Sequence, residues 1–419
     1  MMQLIQLFQK HRWQITFASP SNLGEHRLDL TQFEIQEKAI ELNNHSFDDF
    51  IRQLQPNVVI FDRFMMEEQF GWRVENHCPN AVRILNTEDL HSLREARQQY
   101  LKIQSKAYNT NSNNNDQACL DLTPLWNQSA EHLFDLMANT DLAQREIAAI
   151  LRCDLTLMIS KFEVSLLEKA FKVESNLLFN LPFTYPELKT TANNKFENRQ
   201  HFVFIGNFRH APNWDSVLWL KESIWPAIRQ QLPSAELHVY GAYPAKKVTN
   251  LHNPKQGFLV KGWANDALQV IRDARVLLAP LRFGAGIKGK LAEAMLCGTP
   301  SVTTPIGSEA MLPENQNHTE WPGFTGETEK ELIEHAIELY ANENTWQIAQ
   351  NRGFTLGHQQ YQQLQLGDNL MQTVIKLQSQ LEAHRKKNFA GSMLRHHHHK
   401  STQYMAQWIE VKNRNKNIK

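Results

Sequence analysis

The stretch APLRFGAGIKGKLAEAMLCGTPSVTTPIGSE, Ala279 to Glu309, reads as strand, glycine-rich turn, helix and strand. The apolar run RVLLAPL (275–281) suits a strand buried on both faces. GKLAEAMLCG (289–298) has the period of a helix, with Gly298 placed as its C-cap, and PSVTT (300–304) returns to a strand. The same alternation extends back through HFVFIGNF (201–208), a helix opening near Pro212, ELHVYG (236–241) and NDALQVIRDA (265–274). It therefore predicts an α/β domain with a doubly wound parallel sheet, whose ligands bind beyond the carboxyl ends of the strands.

A second alternating pattern runs to Phe183. Its expected strands are Gln14–Ala18, Val58–Phe61, Val82–Leu85 and Leu155–Ile159, and its expected helices include Phe47–Leu54 and Glu131–Leu151. The organisation expected is a first domain over 1–183, a linker over 184–200, a second domain over 201–387 and a helical extension over 388–419. The asparagine-rich run at 109–117 reads as a surface loop. A helix, MMQLIQLFQKH, precedes the first strand, so a leading strand of the first domain is expected to be missing.

Composition narrows the function. The 419 residues carry 44 Lys plus Arg against 44 Asp plus Glu, so no broad field draws the chain to nucleic acid. Cys78, Cys119, Cys153 and Cys297 form no CxxC pair, which fits a reducing, cytoplasmic setting better than a disulfide framework or a zinc site. No apolar run reaches the roughly 20 residues of a membrane helix. The run His396–His399 has poor tetrahedral geometry for a metal, and a tag remnant or a natural surface run is the expectation.

Three phosphate-binding patterns fit the glycine turn, since all use free N–H groups and the positive end of a helix. Gly284, Gly286 and Gly289 match GxGxxG, with Glu309 as an acid about 20 positions on, but in the fourth strand-to-helix connection rather than the first. A GxxxxGK[ST] loop fits until Leu291 stands where the magnesium-binding hydroxyl belongs.

The third pattern is a resemblance. Lys288, Lys290, Glu293, Ala294, Gly298 and Pro300 are similar to the donor-site signature of the family 4 (group 1) glycosyltransferases of GT-B fold. FIGNFRHAPNWDSVLWL (204–220) and VKGWANDALQVIRDARVLLAPLRFGAGIKGK resemble the same donor domain, and the likeness is strong over about residues 200–310. FDRFMMEEQFGWR (61–73), NTEDLHSLR (86–94) and CDLTLMISKFE (153–163) resemble a bacterial subgroup. The resemblance implies two Rossmann-like domains facing across a cleft and retaining, metal-independent sugar transfer from a nucleotide-sugar, which is substrate rather than cofactor. The acceptor implied is a glycan, lipid-linked or protein acceptor of unknown identity.

Site residues follow from that likeness. Lys290 and Lys288 would meet the diphosphate, where loss of the leaving group builds about two negative charges. Gly284, Gly286 and Gly289 would let the backbone approach it, Arg282 would add a phosphate contact, and Glu309 belongs to the same donor set. Glu293, three residues after Lys290 and so on the same helical face, would bind the ribose hydroxyls. Cations at a helix start oppose its dipole by about 0.3–1 kcal/mol each, which speaks for an anion beside them. Trp263 either flanks the base or is an ordinary aromatic. His91 is read either as a neutral imidazole near the transferred sugar or as a helix N-terminal residue. Asp62 and Arg63 are acceptor-cleft candidates or an ion pair. The sequence departs from the family pattern at Ala285, where an earlier glutamate is common, and at Asn207–Arg209. An epimerase on the same fold and a silent nucleotide-binding protein are the alternatives.

Overall fold

In the computed structural model, residues 1–21, 24, 27–111, 121–186, 195–313, 320–362 and 364–416 are described. The expected loop at 109–117 lies outside them from residue 112 on, as does Cys119. So do residues 187–194 of the expected linker.

The second lobe holds a six-stranded, all-parallel sheet. Its strands are β7 (Gln200–Ile205), β8 (Leu237–Tyr240), β9 (Phe258–Gly262), β10 (Ala274–Ala279), β11 (Ser301–Thr303) and β12 (Gly323–Thr325), in the order β12-β11-β10-β7-β8-β9. The chain runs outward from β7 in one direction and from β10 in the other. The loops leaving these two central strands therefore splay apart, and that switch point is where an open α/β sheet forms a crevice. Phe202, Val203, Phe204, Val276 and Leu277 are fully buried, as strands covered on both faces require.

The first lobe has its sheet in two pieces. β3 (Val58–Asp62), β4 (Val82–Glu88), β5 (Leu155–Met158) and β6 (Leu178–Asn180) pair in chain order, all parallel. β1 (Thr16–Ser19) and β2 (Gln36–Ala39) form a separate parallel pair. Among the described residues β1 pairs only with β2, and β3 only with β4. An apolar cavity of about 650 Å³, lined by Ile15, Phe17, Phe47, Val58, Ile60 and Phe61 among others, lies between the pieces, where a strand joining them would run.

The helix expected over Glu131–Leu151 is two, Ala130–Met137 and Asp141–Arg152, because the Thr140 hydroxyl accepts the Ala143 N–H and starts a new helix. The helix Leu364–Ser379 already lies on the first sheet, packing Leu370, Met371 and Val374 against Val82, Ile84 and Leu155. The last helix, Phe389–Lys416, packs on the helices Asp141–Arg152 and Phe64–His77 of the same lobe.

Candidate functional site

The turn Pro280–Lys288 leaves the central strand β10 and enters the helix Gly289–Cys297. Gly286 has φ +63°, a left-handed conformation that costs other residues about 1–2 kcal/mol. A Cβ there would also stand 2.8 Å from the Asp89 Cβ and 3.1 Å from Ile159 Cδ1, both of the first lobe. The glycine thus lets the two lobes close on the turn. Its N–H donates to Glu163 Oε1 at 2.7 Å, and the same oxygen accepts the Leu90 N–H at 3.2 Å. Arg97 donates to the Gly284 carbonyl at 2.9 Å and grips Glu309 with two bonds of 2.6 and 2.9 Å. The carboxyl ends of the two sheets therefore face each other across the turn. Ala285, where the family pattern often has a glutamate, is buried against the first-lobe core, so a carboxylate there would lose its water.

The lysines stand at the start of the helix. Lys288 is its N-cap residue with no side-chain capping bond, is buried, and donates from Nζ to the Gly286 carbonyl at 2.7 Å. Burial lowers its pKa, against the pull of Glu309. Lys290 is half-buried, donates to Asn213 Oδ1 at 2.7 Å and lies 4.1 Å from the Phe204 ring centroid. Desolvation drives its pKa down to about 7, although Glu293 pulls the other way. Among the described residues neither ammonium has a carboxylate within ion-pairing distance. Glu293 accepts the Tyr185 hydroxyl at 3.4 Å, and burial raises its pKa. Gly289 lies beside that hydroxyl, 3.7 Å from where its Cβ would be.

Across the gap, His91 opens the helix His91–Asn111. Its N–H donates to Glu146 Oε1 at 2.9 Å, while the Ser92 N–H and hydroxyl reach Oε2 at 2.9 and 2.5 Å. Glu146 caps this helix from within the core, and burial lifts its pKa to about 7 despite those bonds. The His91 ring is 3.6 Å from Asp89 Oδ1, edge-on to Phe64, and desolvation, aided by Arg94, lowers its pKa to about 4. It is a neutral imidazole at neutral pH. Asp89 is itself locked to Arg94.

The remaining candidates separate. Asp62 ends β3 and accepts from Asn86 Nδ2 at 3.3 Å. Arg63 is exposed, with φ +72° and Nη2 3.4 Å from Glu88, and Asp62 and Arg63 both contribute to the field at His91. Arg282 is held within the second lobe by two bonds to Asp215 of 2.9 and 2.6 Å. Trp263 directly follows β9 and is 46% exposed.

His210 was missed in the sequence. It lies in the loop leaving β7, the other arm of the switch point, and feels the charges of Asp89, Arg94, Lys290 and His91 together. Burial drives its pKa to about 4 as well. A polar residue between a strand end and the Ala211–Pro212 helix start was the available signal. Asn213 and Glu163 fall inside the family-like stretches 204–220 and 153–163, which marked the segments but not these side chains, and Arg97 had no signal; each acts through a partner distant in sequence.

Known proteins resemble this chain in part of its sequence and in its fold. The profile described as "Glycosyl transferases group 1" matches residues 199–342. A 44.6 kDa protein of the cps region of Klebsiella pneumoniae is 26% identical over 164 residues, 37% of this chain and 40% of that one, so the match spans well under half the relative's length. HepE of Anabaena, solved with UDP and glucose, superposes with a TM-score of 0.61 at 13% identity, over 89% of this chain and 95% of its own. TarM of Staphylococcus aureus, solved with UDP among its ligands, gives 0.56 at 12% identity, over 78% of this chain and 58% of its own. At such identities the likeness is one of fold, and the fold is GT-B.

Proposed function

For a GT-B chain whose residues 199–342 match the group 1 glycosyl transferase profile, we propose transfer of a sugar from a nucleoside-diphosphate sugar to an acceptor held by the first lobe. The observation that carries this is the pair Lys288 and Lys290. Two desolvated lysines sit at the positive end of a helix and, among the described residues, have no carboxylate within ion-pairing distance. Such a place is poorly suited to cations and well suited to a dianion.

The donor diphosphate replaces the weak carbonyl and amide partners of the two lysines, and Lys290 takes up a proton as it binds. As the glycosidic bond breaks, the leaving oxygens gain charge and the lysines and helix N–H groups stabilise it, which is where electrostatic catalysis contributes most. These cations supply the charge a metal would otherwise bring, so transfer is expected to proceed in EDTA. Glu293 is within the helix turn that follows and would accept the ribose hydroxyls. His91, being neutral, accepts a hydrogen bond from a sugar hydroxyl. In a retaining transfer the leaving phosphate oxygen takes the acceptor proton on the same face. The Gly286 N–H and the Gly284 carbonyl are engaged by Glu163 and Arg97, so the lobes must part to admit the donor.

UDP-sugars are the donors to test first, given the UDP complexes of HepE and TarM. The test is incubation with UDP-glucose and UDP-N-acetylglucosamine, with and without EDTA, following release of UDP. Release that needs Lys290 and survives EDTA supports the reading. Conversion of the donor to its epimer with no free UDP, or tight UDP binding with no turnover on any acceptor, overturns it.

A further inference from the structure

The last helix, Phe389–Lys416, has two unlike faces. Its inward face is packed: Arg395 and Ala406 are buried, and Gly391 approaches so closely that a Cβ would strike the Leu151 carbonyl. The opposite face presents Phe389, Met393, Tyr404, Trp408 and Val411, exposed by 69, 48, 67, 59 and 55%. Steps of 4, 11, 4 and 3 residues keep these five within one stripe at 3.6 residues per turn. Five large apolar side chains in a row are not scattered surface residues.

Charge shows what this stripe fits. Residues 385–419 hold nine Lys and Arg and one acid, Glu410, a net +8, which the other 384 residues of this neutral chain balance with −8. The inward basic groups are matched, Arg385 by Asp154 and Arg395 by Glu75. Glu410 is also turned inward, 2.5 Å from His45. Lys387, Lys400 and Lys412 are exposed beside the stripe, with His396 and His397 between its halves. Among the described residues no helix is long and apolar enough to cross a membrane.

We propose that this helix docks the protein flat on an anionic phospholipid bilayer, with Phe389, Tyr404 and Trp408 entering the headgroup boundary and the lysines meeting lipid phosphates. Aromatic side chains flanked by basic ones on a helix lying in the interface have this effect. The aliphatic Met393 and Val411 fit a lipid boundary better than a nucleic acid, which offers stacking and phosphates only. Because the helix packs on the first lobe, docking sets that lobe beside the membrane surface. The inference stands whether or not the chain transfers sugar.

The full chain is sedimented with vesicles of phosphatidylcholine alone and of phosphatidylcholine with 30% phosphatidylglycerol, at low and at 0.5 M salt. We expect binding to the anionic vesicles at least tenfold tighter than to the neutral ones. It should fall steeply at 0.5 M salt, where the screening length shrinks to about 4 Å, and drop at least tenfold in Tyr404→Ser/Trp408→Ser at an unchanged thermal midpoint. Equal binding to both vesicles, no binding to either, an unaffected double variant, or a stripe that instead joins two copies or an oligonucleotide would overturn it.

Discussion

Lys290 is asked to be two things, a desolvated amine in the free protein and an ammonium beside a diphosphate. Because its pKa is pushed down to about 7, most of it is neutral at pH 8, and an anion that needs the charged form must bind together with a proton. Affinity for a nucleoside diphosphate should therefore fall as pH rises above about 7, by at most tenfold per unit, until the pKa of the occupied site is passed. Titration calorimetry at pH 6.5 and 8.5 in buffers of different ionisation heat measures this, and the uptake should shrink in Lys290→Ala. Glu163 has the opposite sign. Burial, and then the charge of Asp89, raise its pKa from the ordinary 4.5 to about 8, so the folded protein keeps a proton that the unfolded chain has released. The stability this contributes is complete below about pH 4.5 and is lost as pH rises through about 8. Glu163→Gln keeps an acceptor for the Gly286 and Leu90 N–H groups, and its thermal midpoint should fall less between pH 5 and 8 than that of the natural protein.

At the scale of elements, the helix Gly289–Cys297 ends at Gly298 with φ +61°, where an added Cβ would run into the ring of Phe354. Gly298→Ala should cost about 1–2 kcal/mol from the left-handed backbone alone, read as a lowered urea midpoint. The divided first sheet also has a consequence. β1 and β2 lean on the rest of the lobe across an apolar cavity rather than through strand hydrogen bonds, so their amides should exchange with solvent well before those of β4 and β5. Equal protection would show that the gap is closed in solution. The sequence made the buried strands legible, because β4, β5, β7 and β10 are each built around a short apolar run. It hid β2, QEKA, and β12, GFT, which are too polar or too short to stand out and exist only by pairing with a neighbour. The glycine turn was legible as a strand-to-helix connection, where spacing and residue type mark it. The pairing of Arg97 and Glu163 with the turn was not legible, since no local pattern reveals which strand end will face another across two lobes.

For the whole molecule, the two lobes are tied at the site itself, through Arg97 to Glu309 and Gly284 and through Glu163 to Gly286. Removing one partner of a buried pair leaves the other charge uncompensated, so Arg97→Ala should lower stability by about 3 kcal/mol, and scattering should show a more extended particle in the absence of nucleotide. Sugar transfer at this turn requires a diphosphate held by the lysines where these lobes meet. Calorimetric titration of the natural protein and of Lys290→Ala with UDP, and in turn with the other nucleoside diphosphates, tests this directly. At least one of them should bind, and the variant should bind it weaker by about 1.5–3 kcal/mol, the scale of a charged hydrogen bond. Absence of binding to every nucleoside diphosphate, or an affinity unchanged by the substitution, would contradict it.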